Sequence, residues 1–280
     1  MNIGFDVIET IKDRTSVRTY DEEKPLTDAQ RRLIMQYADN LNNPFGVDKV
    51  KIAMADKVKL QPGEKLGTYG IIKGAQTYLG LMCQDTQIAL LAAGYEFEQL
   101  ILYITSLGLG TVWLGATFSN KRFSRTMKKP AGYILPAVSP VGTATKRRMV
   151  ERVMRRFAKS DTRKPWDELF FDGNFTTPLT LWNAGVYDNA LEMVRIAPSA
   201  TNTQPWRIVK INDRFHFYAA TKLKPDASEL TFRYIDMGIA LCHFHLTVIN
   251  DNIDGEFEIN DPKLPNQPVN FRYIASWQPK

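Results

Sequence analysis

Two short stretches of this chain carry side chains suited to holding a polar ligand. Residues 14–18 read Arg14-Thr15-Ser16-Val17-Arg18. Alternate residues of an extended segment share a face, so Arg14, Ser16 and Arg18 converge as two guanidinium forks and a hydroxyl. That set suits a phosphate beside a carbonyl-rich ring, although an ordinary solvated surface shows the same spacing. The second stretch runs from Ala197 through Pro198-Ser199-Ala200-Thr201-Asn202-Thr203-Gln204-Pro205-Trp206 into the apolar run 207–211. A turn of this composition presents backbone groups and short hydrogen-bonding side chains to something flat or polar. Asn202 and Gln204 also read as simple turn caps.

Other chemistry is poorly supplied. With only His216, His243 and His245, no Ser-His-Asp constellation can be assembled. His243 and His245 stand two apart on an expected helix and face different ways, and nothing near them in sequence completes a metal set. Gly108-x-Gly110 followed by Gly115 lacks the spacing of a dinucleotide-binding turn and comes after a helix.

The elements that must position these residues alternate along the chain. Residues 5–12 read as a short amphipathic helix, and 26–41 as a helix with Thr27 as N-cap. Residues 50–55 and 77–83 read as strands. A long apolar helix covers 85–107, ending at Gly108; 111–114 is a buried strand and 133–141, with its two prolines, an edge strand. The order then returns: helix over 179–196, strands over 206–211 and 215–219, a second long apolar helix over 234–250, a strand over 256–259. Superposing Gly94 on Gly238, an offset of 144, matches Leu102 with Leu246 and Trp113 with Phe257. The chain therefore reads as an α+β protein of two diverged copies of one unit, residues 1–160 and a shorter 161–280 that includes the joining arm.

Composition bounds the setting. The chain has 280 residues, 44% of them hydrophobic, enough for a substantial core. Cys83 and Cys242 lie far apart, and no apolar signal region follows the start, which points to a reducing, cytoplasmic location. The uncharged run 100–120 is long enough for a bilayer, but its glycines and hydroxyl residues fit a helix end followed by a buried strand, so no membrane is expected. The net charge of +6 is uneven: residues 121–164 hold fourteen Lys or Arg against Glu151 and Asp161. This segment meets anions or is a solvated face, since 147–159 can be written as a basic amphipathic helix. Phe123, Tyr133 and Phe157 are too scattered to interleave with its charges, so nucleic acid is not an expected partner.

Four stretches together, 14–20, Gly108-Leu109-Gly110-Thr111-Val112-Trp113-Leu114-Gly115, Arg163-Lys164-Pro165-Trp166-Asp167-Glu168-Leu169 and 198–206, resemble the nitroreductase family of flavoenzymes over nearly the whole chain. In ordinary members two identical subunits interlock, and each FMN lies at their interface with contacts from both. Here Arg-x-Ser-x-Arg stands only in the first half and the Pro-Ser-x-x-Asn-x-Gln-Pro-Trp turn only in the second; the matching place in the first half has Asn42-Asn43-Pro44-Phe45-Gly46. The arrangement resembles the fused, tandem branch, which implies a nitroreductase-like fold with an intramolecular pseudo-dimer, one FMN per chain and a monomer, a homodimer being left open. The resemblance implies Arg14 and Ser16 as phosphate ligands, Arg18 beside the pyrimidine edge, and Arg163 as a second phosphate cation with Lys164 as its alternative. It also implies that backbone N–H groups of Leu114 and Gly115 approach the ring, that Pro198, Ser199 and Ala200 pack on its benzenoid end, and that Asn202 and Gln204 bond the polar edge or ribityl chain. The implied activity is reduction of nitroaromatics, quinones or similar small molecules by NADH or NADPH in two half-reactions, which needs no dedicated acid or base. A flavin-binding redox sensor without turnover is the alternative.

Overall fold

The computed structural model describes residues 3–47, 50–56, 68, 70–145 and 162–280. The boundary expected at residue 160 and the basic helix expected over 147–159 lie outside the described residues.

Two long helices form the centre. α3 (Gln87–Ser106) and α7 (Ala227–Asn250) are apolar on nearly every face and buried over most of their length. Each begins at a side-chain cap: Thr86 Oγ1 accepts Ala89 N–H at 3.3 Å, and Asp226 Oδ1 accepts Glu229 N–H at 2.8 Å. α7 thus starts seven residues ahead of its apolar run. α3 is long and apolar enough to cross a membrane, but most of it is buried inside this fold.

The two helices touch at their glycines. A Cβ on Gly94 would lie 2.3 Å from Ile235 O, and one on Gly238 would lie 2.2 Å from Leu91 O. Both contacts obey the same offset of 144, so the crossing is reciprocal, as at an interface between equivalent surfaces.

The remaining elements pack around this pair. α1 (Val7–Asp13) and α2 (Asp28–Asp39) precede the first sheet, and α2 opens with the complete capping box of Thr27 and Gln30. β1 (Lys51–Asp56), β2 (Thr77–Gln84), β3 (Gly110–Thr111) and β4 (Tyr133–Gly142) form an antiparallel sheet in the order β1-β2-β4-β3. α4 (Asn120–Thr126) lies between β3 and β4, with basic residues on its exposed face.

The second sheet has β5 (Phe170–Asp172), β6 (Trp206–Ile211), β7 (Arg214–Ala220), β8 (Gly255–Glu258) and β9 (Phe271–Pro279), in the order β5-β6-β7-β9-β8. Its last four strands repeat the order of the first sheet, with α7 standing where α3 stood. β5, from the joining arm, adds in parallel to β6.

Three expectations need correction. The proline-bearing segment is not an edge strand: β4 lies between β2 and β3. It tolerates its prolines because Pro136 falls where the pairing skips from Leu81/Ala137 to Cys83/Ile134. Pro140 shares the orientation of Val138, whose N–H points to the β3 side, and there the ladder is only a short strand and one isolated bridge at Leu114. The expected strand 111–114 is likewise limited to Gly110–Thr111. The helix expected over 179–196 is broken at Gly185, whose φ of 60° ends α5 (Leu181–Ala184) before α6 (Asp188–Arg195) begins.

Candidate functional site

The Arg-x-Ser-x-Arg segment leaves α1 and runs alongside β3. Ser16 forms a parallel bridge with Thr111, and Val17 N–H donates to Thr111 O at 2.8 Å. Gly110 makes this approach possible, because a Cβ there would lie 2.8 Å from Val17. With Val17 held against the sheet, Arg14, Ser16 and Arg18 all line one cavity of about 960 Å³, and so does Thr15, which strict alternation would have turned away.

The opposite wall comes from the second half. Pro198, Ser199, Ala200 and Asn202 line the cavity, and Arg163 reaches it from the joining arm. Leu114 and Gly115 complete the floor, so elements more than 180 residues apart meet there.

The turn is left-handed at Thr201, Asn202 and Gln204, with φ of 49°, 57° and 48°, which non-glycine residues seldom adopt. Several bonds hold it. Gln204 N–H donates to Ser199 Oγ at 2.9 Å. Asn202 Nδ2 donates to Thr162 O at 2.9 Å, and Arg163 donates to Asn202 Oδ1 at 3.2 Å and to Ile196 O at 3.1 Å. Lys164 N–H donates to Gln204 Oε1 at 2.7 Å. The turn and the arm are therefore one unit.

Several expected roles change. Gln204 is 4% exposed and is not among the residues that line the cavity; its amide is spent on the arm. Asn202 lines the cavity, yet its amide also serves the arm. Lys164, the alternative to Arg163, pairs with Glu168 and does not reach the cavity. Leu114 N–H donates to Val138 O at 2.9 Å, so the ladder has already used it, and Gly115 is left as the backbone donor position. Gly115 itself lies under Phe232 of α7: a Cβ there would come within 2.5 Å of the ring.

Two charged groups were not legible as site residues. Behind Arg14 and Trp113, the fully buried Glu98 carboxylate receives Trp113 Nε1–H at 2.7 Å and meets His243 Nε2 at 2.9 Å, with Arg14 Nε at 3.9 Å. His243 Nδ1 faces Met193 O at 2.9 Å, so that nitrogen carries a proton. The histidine does therefore have a carboxylate neighbour, supplied by the other core helix, and among the described residues no cluster of metal-binding size forms.

On α7, Glu229, Arg233 and Asp236 share one face toward the cavity. Arg233 lies 3.6 Å from Glu229 and 3.3 Å from Asp236. Burial pushes the Asp236 carboxyl up to about 7, against the opposing pull of Ala200 N–H and Arg233. The i, i+4, i+7 spacing of these residues was the available signal. Without the turn beside them it reads as an ordinary helical salt bridge.

The stretch of the first half matched to the turn, residues 42–46, packs against the core. The Phe45 ring sits edge-on to Tyr95 with centroids 5.8 Å apart and packs on Phe257 at 5.7 Å. Asn43 Nδ2 donates to Glu96 Oε1 at 2.6 Å, and Tyr95 OH bonds His245 Nδ1 at 2.7 Å.

This fold and this site at a seam define a protein of the nitroreductase class. The family model described as "Putative TM nitroreductase" matches residues 6–248, and the chain belongs to that family. The crystal structure of a "putative nitroreductase" from Thermotoga maritima shares the fold, with 19% identity and a TM-score of 0.61 over 98% of this chain and 93% of that one. An FMN-dependent nitroreductase from Clostridium difficile R20291 matches at 18% identity and a TM-score of 0.42, covering 50% of this chain and 89% of its own. A nitroreductase in complex with FMN from Exiguobacterium sibiricum, likewise described as "putative", matches at 14% and 0.41, covering 53% and 95%. A search of curated protein sequences gave no match.

Proposed function

We propose that the chain is an FMN-dependent oxidoreductase that takes electrons from NADH or NADPH and passes them to small electron-poor acceptors such as nitroaromatics or quinones. The observation that carries this reading is the meeting of Arg14, Ser16 and Arg18 from one half with Arg163 and the 198–202 turn from the other, around a single cavity. The donors fit the cofactor. Arg14, Arg18 and Arg163 supply cations for a phosphate and for the electron-rich edge of a reduced ring, while Leu114, Pro198, Ile235 and Ile239 supply apolar surface. Bound FMN would supply hydride transfer between nucleotide and acceptor, so the protein's work is binding, orientation and charge.

The same reading gives one FMN per chain, because the 198–206 turn has no counterpart motif in the first half, where Phe45 packs on Tyr95 and Phe257, and an internal pseudo-dimer descended from a fused pair. Equilibrium dialysis of the purified protein against FMN, with stopped-flow mixing of the yellow complex with NADH or NADPH, tests both parts. A ratio near one and bleaching of the flavin band within a turnover are expected. A ratio near two refutes the single site, and a band that neither nucleotide bleaches refutes the oxidoreductase in favour of a sensor.

A further inference from the structure

Two side chains of α7 that line the cavity also hold the strained turn. Asp236 Oδ1 accepts Ala200 N–H at 2.8 Å, Arg233 Nη1 donates to Thr203 Oγ1 at 2.9 Å, and the same guanidinium lies 3.3 Å from Asp236 Oδ2. Asp236 is 2% exposed. A carboxylate so placed costs stability unless its partners compensate, so its presence in the core needs a reason.

The architecture does not require it. The offset of 144 that relates Gly94 to Gly238 at the crossing relates Ala92 to Asp236 and Ala89 to Arg233. Both alanines are buried on α3. Two helices with the same role in the core therefore differ at these positions, and only the one that faces the turn carries the charges.

We propose that Asp236, steadied by Arg233, is a positioning residue of the flavin site: it pins Ala200 N–H and so holds the 198–204 turn as a preformed wall for the ligand. The proposal rests on the flavin reading above. The ligand meets a turn whose ordering cost has already been met, which raises affinity through the turn.

The test uses Asp236→Ala, which removes the acceptor, and Asp236→Asn, which keeps an oxygen for Ala200 N–H while removing the charge. Hydrogen exchange at the Ala200 amide is read by NMR in the ligand-free protein, and FMN affinity by titration of flavin fluorescence. Asp236→Ala is expected to lose protection at Ala200 and to bind FMN about tenfold or more weakly, the scale of a lost charge-assisted bond to a buried group. Asp236→Asn should restore protection and stay within about threefold of the parent, the smaller difference between a charged and a neutral bond. A folded Asp236→Ala variant that keeps Ala200 protected, or binds FMN like the parent, overturns the proposal. If that variant does not fold, Thr203→Val, which removes only the Arg233 contact to the turn, takes its place, and unchanged FMN affinity there overturns the proposal. If the parent itself takes no FMN, the flavin reading fails while the exchange measurement still judges the turn.

Discussion

Glu98 and His243, one from each core helix, meet at 2.9 Å with neither side chain exposed. His243 Nδ1 is committed to Met193 O, and Glu98 also anchors Trp113 and lies beside Arg14. Glu98→Ala leaves Trp113 Nε1–H and His243 Nε2 without this partner. We expect a loss of roughly 3–5 kcal/mol in urea unfolding, the range for breaking a buried pair. A loss below about 1 kcal/mol would show that the carboxylate is not the hub of this seam.

The glycine crossing gives a sharper structural test. Gly94→Ala and Gly238→Ala each place a methyl group against backbone rather than against a movable side chain. Overpacking of this kind costs about 1–3 kcal/mol and sometimes more. Because the two contacts share one close approach, the double variant should cost less than the sum of the singles. A double-mutant cycle followed by thermal melting reads this directly, and strict additivity would mean that the two helices separate independently at the two points.

Asn202 and Gln204 sit in the second half and Arg14 in the first, yet all should matter to retention of the flavin. Replacing Asn202 and Gln204 together with Ala frees Thr162 O and Lys164 N–H and releases the arm that carries Arg163. The double variant is expected to lose FMN on gel filtration as clearly as Arg14→Ala does, and its arm should be cut faster by protease near residues 162–164. Full FMN retention would confine both amides to turn capping.

Stability should rise as pH falls from about 8 to about 6.5. Burial pushes Asp236 and Glu96 each up to about 7, with Arg233 and Ala200 N–H facing the first and Asn43 facing the second. A carboxyl raised in the folded state binds its proton more tightly there than in the unfolded chain, so its stabilising effect is lost as pH rises through the folded value. Below 6.5 the buried His245, pushed down to about 4, works in the opposite direction. Melting temperatures of Asp236→Asn combined with Glu96→Gln should be nearly flat across the upper window. An unchanged slope would assign the effect to other groups.

Much of the site was readable before any coordinates. The alternation of Arg14, Ser16 and Arg18 needs only an extended backbone, and β3 supplies it. The offset of 144 was visible in the letters as well, though only the contacts at Gly94 and Gly238 show that it marks a physical crossing. What could not be read depends on partners distant in sequence. Gln204 is drawn away from the cavity by Lys164 N–H, Leu114 N–H by Val138 O, and Asp236 gains its meaning from Ala200, thirty-six residues earlier. The short strand β5 was missed for a related reason: Phe170 and Phe171 pair with β6 only because the arm returns to it.

The difference between Ala92 and Asp236 reaches beyond one hydrogen bond. When two identical polypeptides share a seam, any residue introduced on one side is introduced on the other, so a harmful copy travels with every useful one. Here the equivalent positions are encoded separately. One helix can keep alanine and serve the core, while its counterpart bears a buried acid that one cavity wall uses, and selection can tune either position alone.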